Sequence, residues 1–582
     1  DQFKTEDFRE AFRLAIEEKR REVEAIIASP EAPTFANTIL ALERSGVLLE
    51  WVSGSFYNLL HAEATDELMQ ISQEVSPELS ALSSFITLSE PLFERIRQVW
   101  EARESLQLDA EDLRLLERCY EGFSESGAQL PAEEKERLRE VKRELSELSL
   151  TFGQNNLKDQ QRFRLFVDDA AAVEGLPLST LAVARELAEK EGKGEGWLFT
   201  LSAPSYFPFM QHCPSSTLRQ EMYLAKMAVG AAGDAYDNRE LIRRLANLRL
   251  ELAQLLGSKS FAEKVLARRM AGSTTAVYGL LDELLAAYKP VAEKELEAVA
   301  DFAREAGATL PLQPWDWSYW AERYKQTFYE LDEEELRPYF ELSRVSDAIF
   351  SLATRLYGIR FTERTDLPVY HSDVHTYEVH DADGSYLGLL YTDFFPREGK
   401  QSGAWMNNLQ EQYQTAEGED HRPHIVLVMN FTQPTADRPA LLTPSEVRTF
   451  LHEFGHSLHG MLSTCRHGSL SGTNVVRDFV ELPSQLMENW LDEREWLQSF
   501  AVHYQTGEAL PEILIERMER ARHFLVGYAA CRQLSFGYLD MAWHTITEPL
   551  AEGLDTKTLE DTAWQKAQLL PATPAPCQMS TS

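Results

Sequence analysis

Cysteine is scarce in this sequence, and its distribution argues against a disulfide-stabilised fold. Five cysteines occur among 582 residues, an odd number with wide spacing and no Cys-x-x-Cys pair: Cys119, Cys213, Cys465, Cys531 and Cys577. This pattern fits reduced thiols in the cytoplasm better than a disulfide framework. We therefore expect a cytoplasmic protein. The chain begins at Asp1, so any signal segment upstream lies outside this sequence.

Long apolar runs are also missing, and so is an excess of positive charge. No run of 18 or more apolar residues occurs, which argues against a membrane-spanning helix. The 57 Lys and Arg residues are outnumbered by 93 Asp and Glu residues, and the net charge is −36. This charge argues against nucleic acid and anionic membrane surfaces as partners. The sequence has neither an internal repeat nor a low-complexity tract.

Helical patterns dominate the first part of the chain. Its length exceeds what one hydrophobic core supports, so at least two lobes are expected. Apolar residues that recur with a period of 3.6 predict helices at 6–29, 36–63, 132–158, 179–191, 238–256, 274–306 and 346–357. Two short strands are predicted on either side of the fourth of these helices, at 163–167 and 197–201.

Strand patterns are concentrated later, between residues 377 and 431. Segments 377–380 and 386–391 flank Asp381-Ala382-Asp383-Gly384. This arrangement predicts a hairpin, because glycine provides the positive φ that such a turn requires. Segment 424–431 has the composition of a third, strongly apolar strand. A small sheet is therefore expected just before the helix described next.

The most informative stretch is His452-Glu453-Phe454-Gly455-His456. Side chains four residues apart on an α-helix lie on the same face, so His452 and His456 can direct two nitrogens at one metal ion. Glu453 lies about 100° further round the helix, where it can act on a water molecule without binding the metal itself. The same pattern also arises by chance, so its flanks have to support it.

The flanking residues predict a well-anchored helix. Thr443, Pro444 and Glu446 have the order of an N-cap hydroxyl, a proline in the first turn and the acid of a capping box. An apolar stripe would hold the helix in a core, and its members are Val447, Phe450, Leu451, Phe454 and Leu458. Gly460 is a candidate for the end of the helix. Gly455 weakens a helix interior, so we expect another backbone or a substrate to approach closely there.

A catalytic zinc usually has three protein ligands, and segment 478–490 offers a candidate for the third. Pro483 is tolerated only in the first turn of a helix, so a helix should begin between 478 and 482. Glu481 would then lie at the positive end of that helix, which favours an ionised carboxylate. The spacing alone leaves two roles for Glu481 open. It could bind a metal, or it could be a first-turn acid that completes a helix cap with Asp478.

Two further residues are candidates for supporting hydrogen bonds around a metal. Glu488 follows Glu481 by seven residues and returns to the same helix face, where it could accept a hydrogen bond from a ligand histidine. His459 lies three residues after His456, near the same face of the first helix. We expect it to support the site or to pack, and not to bind the metal.

Three segments together resemble the thimet oligopeptidase family of zinc metallopeptidases: 452–459 (HEFGHSLH), 471–474 (SGTN) and 478–490 (DFVELPSQLMENW). In that family the third zinc ligand is a glutamate 25 positions after the second histidine, and Glu481 has this offset from His456. Four further segments also resemble this family: 314–317 (PWDW), 332–340 (DEEELRPYF), 403–406 (GAWM) and 503–507 (HYQTG). Segment 539–544 (LDMAWH) resembles the bacterial peptidyl-dipeptidases, or dipeptidyl carboxypeptidases, more than the endopeptidase branch.

The resemblance implies a mainly α fold with two helical lobes on either side of a deep channel. Residues 1–343 would form a mostly helical distal lobe with short strands near 163–201, and residues 344–582 would form the catalytic lobe. The small sheet would lie next to the HExxH helix in the catalytic lobe. Such a channel admits short unstructured peptides and excludes folded proteins, and we expect a monomer.

The expected activity is peptide hydrolysis with one Zn²⁺ per chain. His452, His456 and Glu481 would bind the ion, and Glu453 would be the general base. The resemblance favours a peptidyl-dipeptidase, which releases dipeptides from a free C-terminus. The alternative is an oligopeptide endopeptidase of the same family. A non-catalytic peptide-binding protein is disfavoured, because Glu453 and all three candidate ligands are present.

The chain ends at Ser582 in a proline-rich segment, 571–582, without a closing helix. In the family that it resembles, the chain continues from about here into a loop rich in His and Tyr that faces the zinc. We therefore expect substrate-binding residues, including donors to the oxyanion, to lie mainly beyond Ser582, in a continuation or in a separate chain. An apolar surface patch is expected on the catalytic lobe where that segment would pack.

Overall fold

Helices make up most of this protein. The computed structural model describes residues 4–572 and 577–579. The helices before residue 343 are α1 (Asp7–Ala28), α2 (Ala41–Glu43), α3 (Val47–Ala62), α4 (Asp66–Thr87), α5 (Glu90–Glu101), α6 (Ala110–Glu125), α7 (Ala132–Arg162), α8 (Leu178–Lys190), α9 (Ala203–His212), α10 (Ser216–Met227), α11 (Arg239–Leu255), α12 (Phe261–Leu266), α13 (Thr274–Glu305), α14 (Pro314–Phe328) and α15 (Glu333–Leu336).

Helices are also frequent in the rest of the chain, on both sides of a sheet. They are α16 (Leu342–Tyr357), α17 (Pro444–Met461), α18 (Arg477–Val480), α19 (Leu482–Glu488), α20 (Arg494–Phe500), α21 (Glu512–Ala521), α22 (Val526–His544) and α23 (Thr556–Trp564). None of the helices in the described ranges is both long and apolar enough to cross a membrane.

The first helices follow the predicted helical pattern. The long helical stretch predicted at 36–63 contains a short break, because Gly46, the N-cap residue of α3, adopts a left-handed conformation with φ 79°. A Cβ atom at Gly46 would lie 2.4 Å from Cδ of Lys19. The Lys19 ammonium group in turn donates to the Ser45 carbonyl oxygen at 2.7 Å. The break therefore follows from the backbone freedom of one glycine and from close packing against α1.

Two apolar clusters hold the N-terminal helices together. One contains Phe12 of α1, Phe56 of α3 and Ile71 of α4. The other contains Val23 of α1 and Leu116 of α6, together with residues of α5. Because α1 contributes to both clusters, these helices form one packed layer.

The nine strands form one five-stranded sheet and two small ribbons in the described chain. They are β1 (Leu165–Val167), β2 (Trp197–Phe199), β3 (Arg360–Glu363), β4 (Val374–His380), β5 (Tyr386–Asp393), β6 (Trp405–Gln410), β7 (Tyr413–Gln414), β8 (Asp420–His421) and β9 (His424–Val428). The five-stranded sheet has the order β3-β4-β5-β9-β6. Its β5–β9 pair is parallel and its other pairs are antiparallel. The predicted hairpin is confirmed as β4–β5.

The sheet packs directly on α17. Ile425 to Val428 of β9 are fully buried. A Cβ atom at Gly460 of α17 would lie 2.7 Å from Cδ1 of Ile425, so this glycine brings the helix onto the sheet. One core joins the sheet and α17 to α16 and α19 through residues that include Phe350, Phe450 and Met487. The prediction of a mainly α fold with a small sheet beside this helix is confirmed.

The N-terminal layer touches this sheet, and the C-terminal helices pack elsewhere. Helix α3 lies against edge strand β6, where a Cβ atom at Gly54 would be 2.9 Å from the Leu409 carbonyl oxygen. Helix α22 packs along α13, and a Cβ atom at Gly527 would lie 2.6 Å from the backbone nitrogen of Ala292. Residues at the end of the described chain, such as Cys577, pack with α11 and α22.

Candidate metal centre

The N-terminus of α17 is fixed by a capping box, as the sequence predicts. The Thr443 hydroxyl accepts from the Glu446 backbone at 3.1 Å, and the Glu446 carboxylate accepts from the Thr443 backbone at 2.8 Å. Glu446 also accepts from the backbone of Thr432 at 2.7 Å. The buried Arg337 lies 3.6 Å from the same carboxylate. The cap therefore joins α17 to the segment after β9 and to the segment after α15.

One face of α17 is buried and the other carries the histidines. The predicted apolar stripe is confirmed, since Val447, Phe450, Leu451 and Phe454 are fully buried and Leu458 is nearly so. His452 and His456 are only partly exposed. Gly460, the predicted end, lies in the last turn, and the helix extends one residue further to Met461. The small size of Gly460 lets α17 pack closely on the sheet, and this glycine does not end the helix.

Gly455 allows α19 to approach α17 closely. A Cβ atom at this position would lie 2.6 Å from the Pro483 carbonyl oxygen and 2.6 Å from Cα of Ser484. Both atoms belong to the backbone of α19, so neither can move away as a flexible side chain would. The close approach predicted at Gly455 is confirmed, and the approaching backbone is that of α19.

Replacing Gly455 by alanine should push α19 away from α17. We expect the variant to lose stability, by about 1–3 kcal/mol as for other overpacked sites, and to bind Zn²⁺ more weakly than the wild type. Thermal unfolding and chelator competition measure the two effects. The matched control is Gly279→Ala in α13, where a Cβ atom meets nothing within 4 Å. A Gly455→Ala variant with unchanged Zn²⁺ affinity would show that this helix contact does not shape the site.

Glu481 lies at the junction of α18 and α19. It is the N-cap residue of α19, and Pro483 occupies the first turn, as predicted. The Ser484 hydroxyl donates to the Glu481 carbonyl oxygen and to its Oε2, each at 2.9 Å. This buried hydroxyl fixes the direction of the Glu481 side chain.

His452, His456 and Glu481 meet at one point. Oε2 of Glu481 lies 3.2 Å from Nε2 of His452 and 3.2 Å from Nε2 of His456. Their three candidate ligand atoms lie within 4.8 Å of one another. Bonds of about 2.0–2.1 Å around a tetrahedral Zn²⁺ place neighbouring ligand atoms about 3.3 Å apart. Two nitrogens and a carboxylate oxygen at this spacing fit a zinc ion.

The Nδ1 atoms of the two imidazoles, which point away from the cluster, have different surroundings. Nδ1 of His452 lies 2.8 Å from Oε1 of Glu488, so Nε2 faces the cluster. Nδ1 of His456 is buried without a hydrogen-bond partner among the described residues. Burial lowers the pKa of His456, although the Glu481 carboxylate opposes this shift. A lowered pKa favours the neutral imidazole that a metal ligand requires.

Glu453 is the most buried ionisable group at the site. Only 7% of the residue is exposed. Burial raises the pKa of Glu453 to about 7, and the nearby Glu481 carboxylate adds to the rise, while His452 opposes it. A carboxylate with a pKa near neutrality exchanges protons readily in both directions, as a general acid–base group must.

His459 does not join the cluster. Its ring lies 6.1 Å from that of Phe479, and its Nδ1 is buried without a partner in the described part of the chain. Burial lowers the pKa of His459. His459 and Pro483 also line a pocket of about 400 Å³ beside the cluster. The residue therefore packs near the site, and the structure gives it no hydrogen bond to a candidate ligand.

Exposed apolar side chains lie on α18 and α19 and at the residue just before α18. Val476, Phe479, Leu482 and Leu486 are each between 43% and 55% exposed. The apolar patch expected where a C-terminal continuation would pack stays a prediction. Large apolar patches mark contact surfaces in many proteins.

Two residues that support the candidate ligands, Ser484 and Arg448, were not predicted from the sequence. Ser484 orients Glu481, and its position three residues later in a first helical turn is the signal that points to it. Arg448 donates to the Glu488 carbonyl oxygen at 3.2 Å and to Asp492 at 3.1 Å. Its spacing of four residues before His452 places it on the histidine face of α17, where it fixes the helix end that carries Glu488.

Comparisons with known proteins show the family of the chain. The profile of Peptidase family M3 matches residues 209–579. The dipeptidyl carboxypeptidase of Escherichia coli (strain K12) is 38% identical over 549 residues, which are 94% of this chain and 80% of that protein. Oligopeptidase A of the same organism is 35% identical over 540 residues, 92% of this chain and 79% of that protein.

A solved structure shares the fold. It is described as an oligoendopeptidase F from Bacillus anthracis str. Ames, and it matches with a TM-score of 0.50 and 14% identity. The match covers 97% of this chain and 82% of that chain. At this identity only the fold is shared with certainty, whereas the family profile and the relatives above 30% identity cover most of the sequence. This chain belongs to Peptidase family M3 and is a metallopeptidase.

Proposed function

We propose that this metallopeptidase binds one Zn²⁺ per chain through His452, His456 and Glu481. The observation that carries the proposal is the convergence of both Nε2 atoms on Oε2 of Glu481 at 3.2 Å. The donor set of two imidazoles and one carboxylate is typical of catalytic zinc sites that keep one position open. Glu488 supports the site by holding the His452 ring in the tautomer that leaves Nε2 free.

Held by His452, His456 and Glu481, the ion would act as a Lewis acid that makes water a stronger nucleophile and polarises the scissile carbonyl. Glu453 accepts the proton of the attacking water at its carboxylate. It then delivers this proton to the nitrogen of the leaving amine. Its burial excludes bulk water from the carboxylate, and its pKa of about 7 suits both transfers. Ser484 holds Glu481 in place during the reaction.

The substrates that we propose are short, unstructured peptides, taken into a channel between lobes formed by residues 1–343 and 344–582. The odd number and wide spacing of the five cysteines, without a Cys-x-x-Cys pair, support a cytoplasmic location. The net charge of −36 supports the proposal that neither nucleic acid nor an anionic membrane is a partner. We also propose that the protein acts as a monomer, which size-exclusion chromatography with light scattering would test.

For specificity we propose release of dipeptides from a free C-terminus. The similarity to a dipeptidyl carboxypeptidase supports this choice. The alternative is cleavage at internal positions without regard to the C-terminus. The similarity to oligopeptidase A, only slightly lower, favours that alternative as the second candidate.

An N-acetylated peptide with a free C-terminus and its C-amidated twin separate the two activities. If dipeptides are released, the free peptide should shorten by two residues at a time. Its kcat/KM should exceed that of the amidated twin by about 10–100-fold, because amidation removes a charge-assisted contact of about 1.5–3 kcal/mol. Mass spectrometry of the products reads the cut sites. Equal rates and scattered internal cuts would assign the protein to the endopeptidase type.

A further inference from the structure

The loop between the two candidate ligand helices contains little regular secondary structure. We call residues 462–476 the connecting loop, because they join α17, with His456, to α18 and Glu481. The loop contains one short 3-10 turn, Gly468–Leu470. None of the four residues of α18, all of which the structure describes, is buried. The start of α18 therefore depends on where the connecting loop is held.

Acidic side chains from the N-terminal helices hold the middle of this loop. The Glu111 carboxylate accepts from the backbone of Arg466 at 2.6 Å and from the backbone of His467 at 3.2 Å. The Arg466 guanidinium donates to both carboxylate oxygens of Asp109, at 2.5 and 2.6 Å. Nε2 of the buried His467 lies 2.8 Å from Oδ1 of Asp112. All three acids belong to the start of α6, more than 350 residues away in the chain.

A fourth acid and one arginine extend the contact along the loop. Glu43, the last residue of α2, accepts from the backbone of Ser469 at 3.0 Å. Arg118 of α6 donates to the carbonyl oxygens of Ser469 at 3.0 Å and Asn474 at 2.8 Å. We call Glu43, Asp109, Glu111 and Asp112 the acidic clamp. The acidic clamp accepts hydrogen bonds from backbone N–H groups of the loop and from the Arg466 guanidinium. It also contacts the His467 imidazole through Asp112.

The end of α17 and the first part of the loop are attached instead to residues that lie next to strands β7, β8 and β9. Arg422 donates to the carbonyl oxygens of Met461 at 2.6 Å and Ser463 at 3.0 Å. Gln412 donates to the Cys465 carbonyl oxygen at 2.7 Å. The attachment changes at residue 466. After it, residues 466–469 and Asn474 contact α6 and α2. Between them the loop returns to its first part, where the Gly472 backbone donates to the Ser463 hydroxyl at 3.2 Å and the Ser471 hydroxyl donates to the Gln412 side chain at 3.3 Å. The N-terminal helices therefore share with the sheet side the control of the direction in which the chain leaves for α18.

We propose that Glu111, with Asp109 and Asp112, positions the third candidate metal ligand through the connecting loop. None of these acids belongs to the cluster of His452, His456 and Glu481. They hold the loop so that α18 delivers Glu481 beside His452 and His456. The proposal rests on the proposed zinc site, and it makes the N-terminal helices a part of the metal-binding unit.

Zinc affinity of the intact chain tests this role. We expect Glu111→Ala to raise the Zn²⁺ dissociation constant about tenfold, the lower end of what removal of supporting residues does at metal sites. The metal-free variant should keep a melting temperature close to that of the metal-free wild type. Glu111→Gln, which keeps an acceptor oxygen, should recover part of the affinity. Chelator competition and thermal unfolding of the metal-free proteins give the two readouts.

A residue on the same helix provides the control. Glu117 of α6 pairs with Arg114 and makes no hydrogen bond or ion pair with the connecting loop among the described residues, so Glu117→Ala should leave Zn²⁺ affinity unchanged. If Glu111→Ala fails to fold, Asp112→Asn, which keeps the shape of the side chain, replaces it and should raise the dissociation constant several-fold. Unchanged affinity in the folded acidic-clamp variants would overturn the inference. A wild type that binds no Zn²⁺ would instead refute the proposed function.

Discussion

Replacing Glu453 by glutamine is expected to leave Zn²⁺ bound and to lower kcat by about 10²–10⁴-fold, the contribution of general acid–base catalysis. The amide has the size of the carboxylate, so α17 should keep its packing. It cannot accept the proton of the attacking water, however, nor pass a proton to the leaving amine. Zinc content measured by atomic emission and peptide turnover measured on the same sample separate binding from chemistry.

The control for this variant is Glu495→Gln in α20, an exposed position outside the cluster. It should keep both zinc and turnover at wild-type values. Near-normal turnover in Glu453→Gln would contradict the role given to this carboxylate. Loss of zinc in that variant would mean that Glu453 belongs to the ligand set.

Replacing His456 by alanine is expected to abolish both zinc binding and turnover. The variant removes one of three ligands, and the two remaining groups lose the geometry that a tetrahedral ion needs. The loss should appear as a zinc content close to zero after dialysis and as turnover at the background level. Since His456 contributes little to the apolar core, the metal-free variant should unfold at nearly the same temperature as the metal-free wild type.

His459 offers a matched control on the same helix. It lies one turn beyond His456, and its ring packs against Phe479 instead of facing Glu481. His459→Ala should therefore retain one zinc per chain. Zinc loss in His459→Ala together with zinc retention in His456→Ala would require a different ligand set.

Much of the helical framework could be predicted from the sequence because local periodicity decides it. Helices α1, α11 and α13 begin and end within two residues of the predicted bounds, and the β4–β5 hairpin follows from its turn. Two strands of the sheet, β3 and β6, could not be predicted. Their residues are partly or fully exposed and show little apolar alternation, so only pairing with β4 and β9 makes them strands.

The candidate site, like the fold, could be predicted only in part from the sequence. The histidines and Glu453 follow from helical spacing, and Glu481 follows from the resemblance to a family, since spacing left its role open. The long-range contacts carry no local signal. The acidic clamp joins residues of α6 to the connecting loop across more than 350 positions, and a sequence of ordinary surface acids gives no indication of that pairing.

The most direct test of the account is zinc stoichiometry with peptide turnover, measured on the intact protein before and after chelation. We predict one zinc per chain, turnover that falls to background when the ion is removed, and recovery when one equivalent of Zn²⁺ is returned. Peptide turnover that continues unchanged in the metal-free protein, or zinc that stays bound when His452, His456 and Glu481 are all replaced by alanine, would contradict the account.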